Sequence, residues 1–416
     1  MKRSVLPLTK EFPALQTRVA GRRMIYLDSA CTALKMRSAA EAQKEFLLDL
    51  GGCGGRRSSH ALAGAVEEKY AAARASAARF TGAASPGEII FTSGATEAVN
   101  ILAGACPFTP KKNEVILSPL EHNSVFLPFY NLAKAGKIKL RVMPLKDLKP
   151  DIGALERMLS GKTAMVCAAR ASNFFGGVTD LERLARLAHT AGAVVFSDDA
   201  QYAPTHPVNA EVSGADALAF SGHKLGAPFG TGVLWVKKTL LARLRPFKVG
   251  GGVVKSVEAS GSGFKVEYLR DYQGFEAGVQ NYAGVFAMAR AFDMLSALGQ
   301  EAIREHMADL VSYAYGRLRG FKEIKVLGQR EDLEKGALIS FVPAGRSFSP
   351  ADLNIFLNTH YKDRFIALRT GRHCADLASL NSGLAGTVRL SFFIYTSKLD
   401  IDEFILALQK YLSFLR

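Results

Sequence analysis

Tryptophan occurs once in this chain of 416 residues, cysteine five times, and no apolar run is long enough to span a bilayer. The five cysteines (Cys31, Cys53, Cys106, Cys167 and Cys374) are odd in number, scattered and without a CxxC pair. That pattern argues against a disulfide framework or a metal site of the zinc type and leaves free thiols as the default. The opening Met1-Lys2-Arg3-Ser4-Val5-Leu6-Pro7 is basic, but Pro7 and the charges of Lys10 and Glu11 leave no apolar signal core. A soluble cytoplasmic protein with no membrane partner is expected. Acidic residues are also in short supply, 38 Asp and Glu against 53 Lys and Arg, for a formal charge of +15. Such an excess attracts nucleic acid, anionic membrane faces or acidic partners. Here the basic residues are spread and no recognition motif accompanies them. The better reading is a basic enzyme that attracts anionic substrates and cofactors, with nucleic acid not an expected partner.

What is present is an ordinary globular mixture, 48% hydrophobic and 22% charged, long enough for two cores. From about Met24 to Lys237, short β-branched or apolar runs alternate with helical stretches. The expected strands are 88–91, 114–117, 140–144, 163–168, 193–197, 217–220 and 232–236. Helices are expected between them at 63–80, 97–103, 124–135, 152–159 and 181–191. This alternation predicts an α/β fold, a mostly parallel sheet covered by helices on both faces, with ligands at the carboxyl ends of the strands. Residues 249–284, punctuated by Gly250, Gly251, Gly252, Gly261, Gly263, Gly274 and Gly278, read as long loops crossing a site or an interface. One helical stretch is expected over 285–319. Strands near 337–342, 364–368 and 388–393 and helices over 350–359 and 400–415 follow. The division is therefore a large domain over 24–284 and a smaller C-terminal α+β domain over 285–416, on which residues 1–23 pack.

Six stretches carry side chains suited to chemistry. Ser221-Gly222-His223-Lys224 sets a lysine in a small polar turn between two strands, a place for a covalently bound pyridoxal phosphate. In Phe196-Ser197-Asp198-Asp199-Ala200-Gln201, Asp198 at a strand end suits a pyridine nitrogen, because a negative charge there keeps the ring protonated and makes it an electron sink. Gln201 is placed to reach the ring hydroxyl; the plainer alternative is a loop aspartate that caps a helix. Phe91-Thr92-Ser93-Gly94-Ala95-Thr96-Glu97 ends a strand in a glycine turn that opens a helix, where free amides and the Thr96 hydroxyl suit a phosphate; the plainer alternative is a Thr-capped helix with nothing bound. Two further strand ends bring His122, able to lie on a pyridine ring and exchange protons, and Asn173, able to bond its oxygen. Finally, Arg369-Thr370-Gly371-Arg372-His373-Cys374-Ala375 surrounds one thiol with arginines and a histidine. Cys374 is thus the candidate nucleophile, and Arg389 in the next strand suits an α-carboxylate through two parallel hydrogen bonds. The other four cysteines have bland neighbours and read as buried small apolar residues.

Taken together, these motifs resemble the class V aminotransferase family of fold-type I pyridoxal phosphate enzymes, within it the SUF-type cysteine desulfurases and selenocysteine lyases. The resemblance runs from Tyr26-Leu27-Asp28-Ser29-Ala30 to Tyr395, with the motifs in the family's order. It implies that Lys224 binds the cofactor covalently, Asp198 pairs with the pyridinium and His122 stacks on the ring. Gln201 and Asn173 would bond the ring hydroxyl; Thr96, with Ala95 in the same turn, Ser221 and His223 would hold the phosphate. Cys374 would attack the substrate sulfur, Arg389 would grip the substrate carboxylate, and Arg369 would position or gate the cysteine loop. A symmetric homodimer and a sulfur-acceptor protein are implied as partners. The sequence departs from the family pattern at Val279 and Gln280 in Phe275-Glu276-Ala277-Gly278-Val279-Gln280-Asn281, at Arg56-Arg57-Ser58-Ser59-His60, and at Tyr395-Thr396-Ser397.

The activity this implies is conversion of L-cysteine to L-alanine with the sulfur left as a persulfide on Cys374, for iron–sulfur cluster or other thio-cofactor assembly. Rival readings are a selenocysteine lyase, or another lyase or aminotransferase of the family. A rival of another kind is a basic, non-catalytic scaffold on the same fold, which predicts no lysine–cofactor absorbance and strongly salt-dependent polyanion binding.

Overall fold

The computed structural model describes residues 8–55, 59–345 and 347–415. Arg56, Arg57 and Ser58, where the sequence departs from the family pattern, lie outside the described residues.

Seven strands form the central sheet, in the spatial order Ile89–Thr92, Gly232–Val236, Ala217–Ser221, Val194–Asp198, Thr163–Ala169, Glu114–Leu117 and Lys139–Val142. All run parallel except Gly232–Val236, which is antiparallel to both neighbours. The inner strands are apolar because both faces are covered. Phe91, Ile116, Val166, Val195, Leu218 and Trp235 join one core. Ile90, Val115, Cys167, Phe196, Ala219 and Leu234 join the other. With six strands parallel, six carboxyl ends lie along one edge.

The expected strands and the helices Ala61–Thr81, Ala95–Ala105, Asn123–Lys134, Ile152–Met158 and Leu181–Thr190 agree with the reading to within a few residues. Three differences have local causes. The stretch expected as one helix over 285–319 is two, Tyr282–Leu298 and Gln300–Leu318, broken at Gly299 with φ +87°. A left-handed glycine ends one helix cheaply, and apolar periodicity on either side hides the break. Residues 249–284 are not only loop: Val254–Ser260 and Gly263–Tyr268 pair as an antiparallel hairpin turned at Gly261. Its strands are exposed on both faces, with Phe264 at 79% and Val257 at 58%, so no buried alternation marked them in the sequence. The helix Arg37–Glu45 was not anticipated at all.

The boundary expected at 284/285 falls inside the helix Tyr282–Leu298, whose buried face belongs to the core of the large sheet. At the other end, Arg22–Tyr26 pairs in parallel with Arg364–Ala367, and Ile25 and Leu27 enter the C-terminal core. That core lies between a four-stranded antiparallel sheet, in which Thr387–Ser391 is flanked by Leu338–Pro343 and Arg369–Gly371, and the helices Gln300–Leu318, Pro350–Thr359 and Lys398–Phe414. Thr396 and Ser397 act structurally: Thr396 Oγ1 accepts the Phe393 amide at 3.0 Å, and Ser397 caps the last helix in a capping box with Asp400. Glu276 of the glycine-punctuated segment forms a buried ion pair with Arg74 at 2.8 Å, while Val279 nearby is 79% exposed. Among the described residues no helix is long and apolar enough to cross a membrane.

Candidate active site

The segments after five strands of the large sheet, the Ala30-Cys31 stretch, and the loop and strand that carry Cys374 and Arg389 enclose a cavity of about 240 Å³. After Ile89–Thr92 the chain turns at Gly94, φ +151°, where a Cβ would come within 3.2 Å of Ser221 Oγ. That hydroxyl accepts the Ala95 amide at 2.8 Å, so the turn and the lysine-bearing strand are locked together. Ala95 and Thr96, in the first turn of an 11-residue helix, line the cavity, and Thr96 Oγ1 is 2.7 Å from Ser124 Oγ. A helix start of this kind is an anion site.

His122 ends the segment after Glu114–Leu117 and caps the next helix. Its Nδ1 accepts the Ser124 amide at 3.1 Å, which puts the ring proton of the neutral tautomer on Nε2. Burial, assisted by the charges of Lys224 and Arg389, pushes its pKa down to about 4. Glu121 beside it is fully buried: Oε1 accepts the Ala169 amide at 2.6 Å and Oε2 has no partner. Burial, with Asp198 adding to it, raises the Glu121 pKa well above the usual carboxylate range. Burial thus disfavours the charged form of Glu121 behind the cavity wall.

The two adjacent aspartates are told apart by their partners. Asp199 is ion-paired with Arg170 at 3.0 Å. Asp198 lines the cavity with only its Oδ1 bonded to the Ala200 amide at 2.9 Å, and it enters no ion pair among the described residues. Burial raises its pKa, opposed by that amide and by Lys224. Conversely, burial lowers the Lys224 pKa and Asp198 opposes the change, which favours a free amine nucleophile. Gln201 donates to Ala30 O at 2.7 Å, and His223 is held by Thr32 Oγ1 at 3.1 Å.

Cys374 comes from the loop between Arg369–Gly371 and Asp376–Ser382, and it is exposed. His373 and Cys374 both have positive φ, +55° and +54°. Neither is a glycine, so the turn is strained by on the order of 1–3 kcal/mol per residue. It is held by two large-domain contacts, Asn173 Nδ2 to His373 O at 2.7 Å and Asn123 N to Cys374 O at 2.8 Å. His373 Nδ1 is buried without a partner, and burial pushes that imidazole's pKa down to about 3.

Arg389 is 2% exposed; it donates to Asn173 O at 2.9 Å and to Asp28 Oδ1 at 3.1 Å, and its Nε has no partner. Burial lowers its pKa, and Asp28 opposes that. Arg369 reaches the other oxygen of the same carboxylate, at 3.2 Å. All twelve residues singled out in the sequence thus line one cavity. Sequence reasoning missed Asp28, Ser124, Glu121 and Cys31. Asp28 stood inside a quoted motif, but nothing local announces partners more than 340 positions away. The reading of four bland cysteines needs correction: Cys167 is buried, Cys53 is exposed, and Cys31 is half-buried in the cavity wall.

Residues 25–404 match the model of the family "Aminotransferase class-V". A probable cysteine desulfurase of Streptomyces coelicolor is 32% identical over 96% of this chain and 94% of its own length. A cysteine desulfurase of Dickeya dadantii is 33% identical, over 96% and 95%. Among solved structures, the Escherichia coli cysteine desulfurase CsdA superposes with a TM-score of 0.86 at 31% identity over 99% of both chains. A cysteine desulfurase of Thermococcus onnurineus gives 0.87 at 28% identity, over 98% and 97%. The architecture is that of fold-type I pyridoxal phosphate enzymes, and the chain belongs to the class V aminotransferase family.

Proposed function

We propose that the protein is a pyridoxal phosphate-dependent cysteine desulfurase that converts L-cysteine to L-alanine and carries the sulfur on Cys374. One observation bears most of the weight: the Cys374 thiol, from the C-terminal unit, lines the same cavity as Lys224 and Asp198. The names of the relatives support the same activity.

The residues fit the cofactor. Asp198, 7% exposed and in no ion pair among the described residues, calls for a cationic or N–H partner such as a pyridinium. The helix start at Ala95 and Thr96, with Ser221 and His223 alongside, suits a phosphate. Lys224 would hold the group covalently, His122 would lie on the ring, and Asn173 and Gln201 would reach its oxygen. When bound, pyridoxal phosphate supplies a protonated ring that withdraws the electron pair left at the substrate's α-carbon.

The chain's own residues do the rest. Arg389 and its unpartnered Nε orient the substrate carboxylate, with Asp28 fixing the guanidinium. Lys224 Nζ takes the α-proton, and burial, which lowers its pKa, favours the neutral amine that acts as a base. Neutral His122, which lines the cavity and holds a proton on Nε2, would serve proton exchange there. The Cys374 sulfur forms an S–S bond as the substrate's Cβ–S bond breaks with its electron pair to carbon. One proton delivered to Cβ and the return of the α-proton from Lys224 Nζ complete L-alanine and leave a persulfide.

Cys374 is exposed, which supports onward transfer to an acceptor protein for iron–sulfur cluster or thio-cofactor assembly. Five free cysteines support a reducing, cytoplasmic setting. The exposed apolar side chains Val279 and Phe264 support a homodimer built through the 249–284 segment. Changing Cys374 to alanine tests the central step. Alanine and sulfide release from L-cysteine should fall to background while the yellow cofactor absorbance stays. Retained activity would overturn the assignment, and retained activity on L-selenocysteine alone would mark a lyase for that substrate.

A further inference from the structure

The cavity holds a second thiol that the reaction above does not use. Cys31 lines it together with Cys374, and both are free. Its backbone is fastened on both sides of the site. Ala30 N donates to Ser391 Oγ at 2.9 Å, on the strand that carries Arg389, and Ala30 O accepts from Gln201 at 2.7 Å. On the other flank, Thr32 Oγ1 donates to His223 O at 3.0 Å, beside Lys224, and Tyr26 donates to Thr32 O at 2.8 Å. Cys31 is therefore held between the cofactor lysine and the arginine cluster by four hydrogen bonds on its two neighbours. Arg369 and Arg389 line the same cavity as the two sulfurs. The two differ in one respect: Cys374 is exposed, whereas Cys31 is half-buried.

We propose that Cys31 is a second sulfane-sulfur acceptor inside the cavity, loaded from the Cys374 persulfide by thiol–persulfide exchange. This rests on the desulfurase reading of the same site. The Cys31 sulfur attacks the terminal sulfur of the persulfide, forming a new S–S bond. The old S–S bond breaks with its electron pair to Cys374 Sγ, which takes up the proton Cys31 releases. One S–S bond replaces another, so no oxidant or reductant is consumed. The half-buried position then keeps the sulfur away from solvent and returns Cys374 as a free thiol for another turnover.

The test loads the holoenzyme with L-cysteine in the absence of an acceptor and quenches by rapid alkylation. Sulfane sulfur per chain is counted by cyanolysis, alanine is counted alongside, and the Cys31 and Cys374 peptides are mapped by mass spectrometry. The wild-type protein should approach two sulfane sulfurs per chain, with the added sulfur on both peptides. Cys31→Ser should hold one, on Cys374 only, and Cys374→Ser should hold none on either. One sulfur per chain confined to Cys374 in the wild-type protein overturns the proposal while leaving the desulfurase reading intact. Sulfur on Cys31 in Cys374→Ser overturns the order of transfer. Absence of both alanine and persulfide overturns the desulfurase reading itself. Should Cys31→Ser fail to fold, the wild-type peptide map decides alone.

Discussion

Asp28 is the residue whose removal tests the electrostatics of the site most directly. Its carboxylate bridges Arg389 at 3.1 Å and Arg369 at 3.2 Å. The Asp28 side chain is 13% exposed and that of Arg389 2%, so Asp28→Ala would leave a buried guanidinium with no counter-charge and only the Asn173 carbonyl for company. Breaking a buried pair from one side costs about 3–5 kcal/mol, most of it the penalty of the stranded charge. Arg369 is 42% exposed, and its share is at most about 1 kcal/mol because water screens it. The expected loss is therefore dominated by Arg389. Urea unfolding of the holoenzyme at pH 7 should show a clearly lower midpoint for Asp28→Ala. Asp28→Asn, which keeps the shape but not the charge, should fall between the variant and the wild-type protein. A ligand that brings its own carboxylate should repair the defect: L-alanine ought to raise the midpoint more in Asp28→Ala than in the wild-type protein. An unchanged midpoint, or equal stabilisation of both proteins by L-alanine, would refute the reasoning.

Asp198→Asn removes the charge at the cavity floor, so alanine formation should drop by about two to three orders of magnitude with the cofactor still bound; a rate within tenfold of wild type would count against the pyridinium pairing. His206 is 4% exposed and donates to Lys335 O at 2.7 Å, and burial takes its pKa from 6.5 to about 4. Between those values the unfolded chain binds a proton that the folded one does not, so stability is lost as pH falls, by up to about 1.4 kcal/mol per pH unit for this group. In His206→Gln the urea midpoint should depend less on pH across that window, and equal slopes would sink the assignment. Gly232→Ala would put a Cβ 2.5 Å from Gly94 Cα and 2.8 Å from Phe220 O. Overpacking there should cost about 1–3 kcal/mol and displace the phosphate turn, so cofactor retention through gel filtration should fall; full retention would show that the turn tolerates the push.

Local pattern alone determined much of this protein. A strand buried on both faces must be a short apolar run, and a covering helix must show the 3.6 period, so the central sheet was legible wherever the core dictated the residue type. The turns at its carboxyl edge were legible too, because glycine, a hydroxyl, a lysine and an aspartate at strand ends are short-range signatures. Where burial does not select residues, the pattern fell silent: the hairpin at 254–268 is exposed on both faces, and Gly299 interrupts two helices whose apolar faces run on past it. Tertiary structure alone decided which distant groups share a charge or a cavity. It brought Asp28 to Arg369 and Arg389, paired Arg22–Tyr26 with Arg364–Ala367, left Asp198 instead of Asp199 open to the cavity, and set Cys31 in one wall with Cys374. Such pairings are set by how the two units dock, and neither partner's neighbours in sequence change when they form.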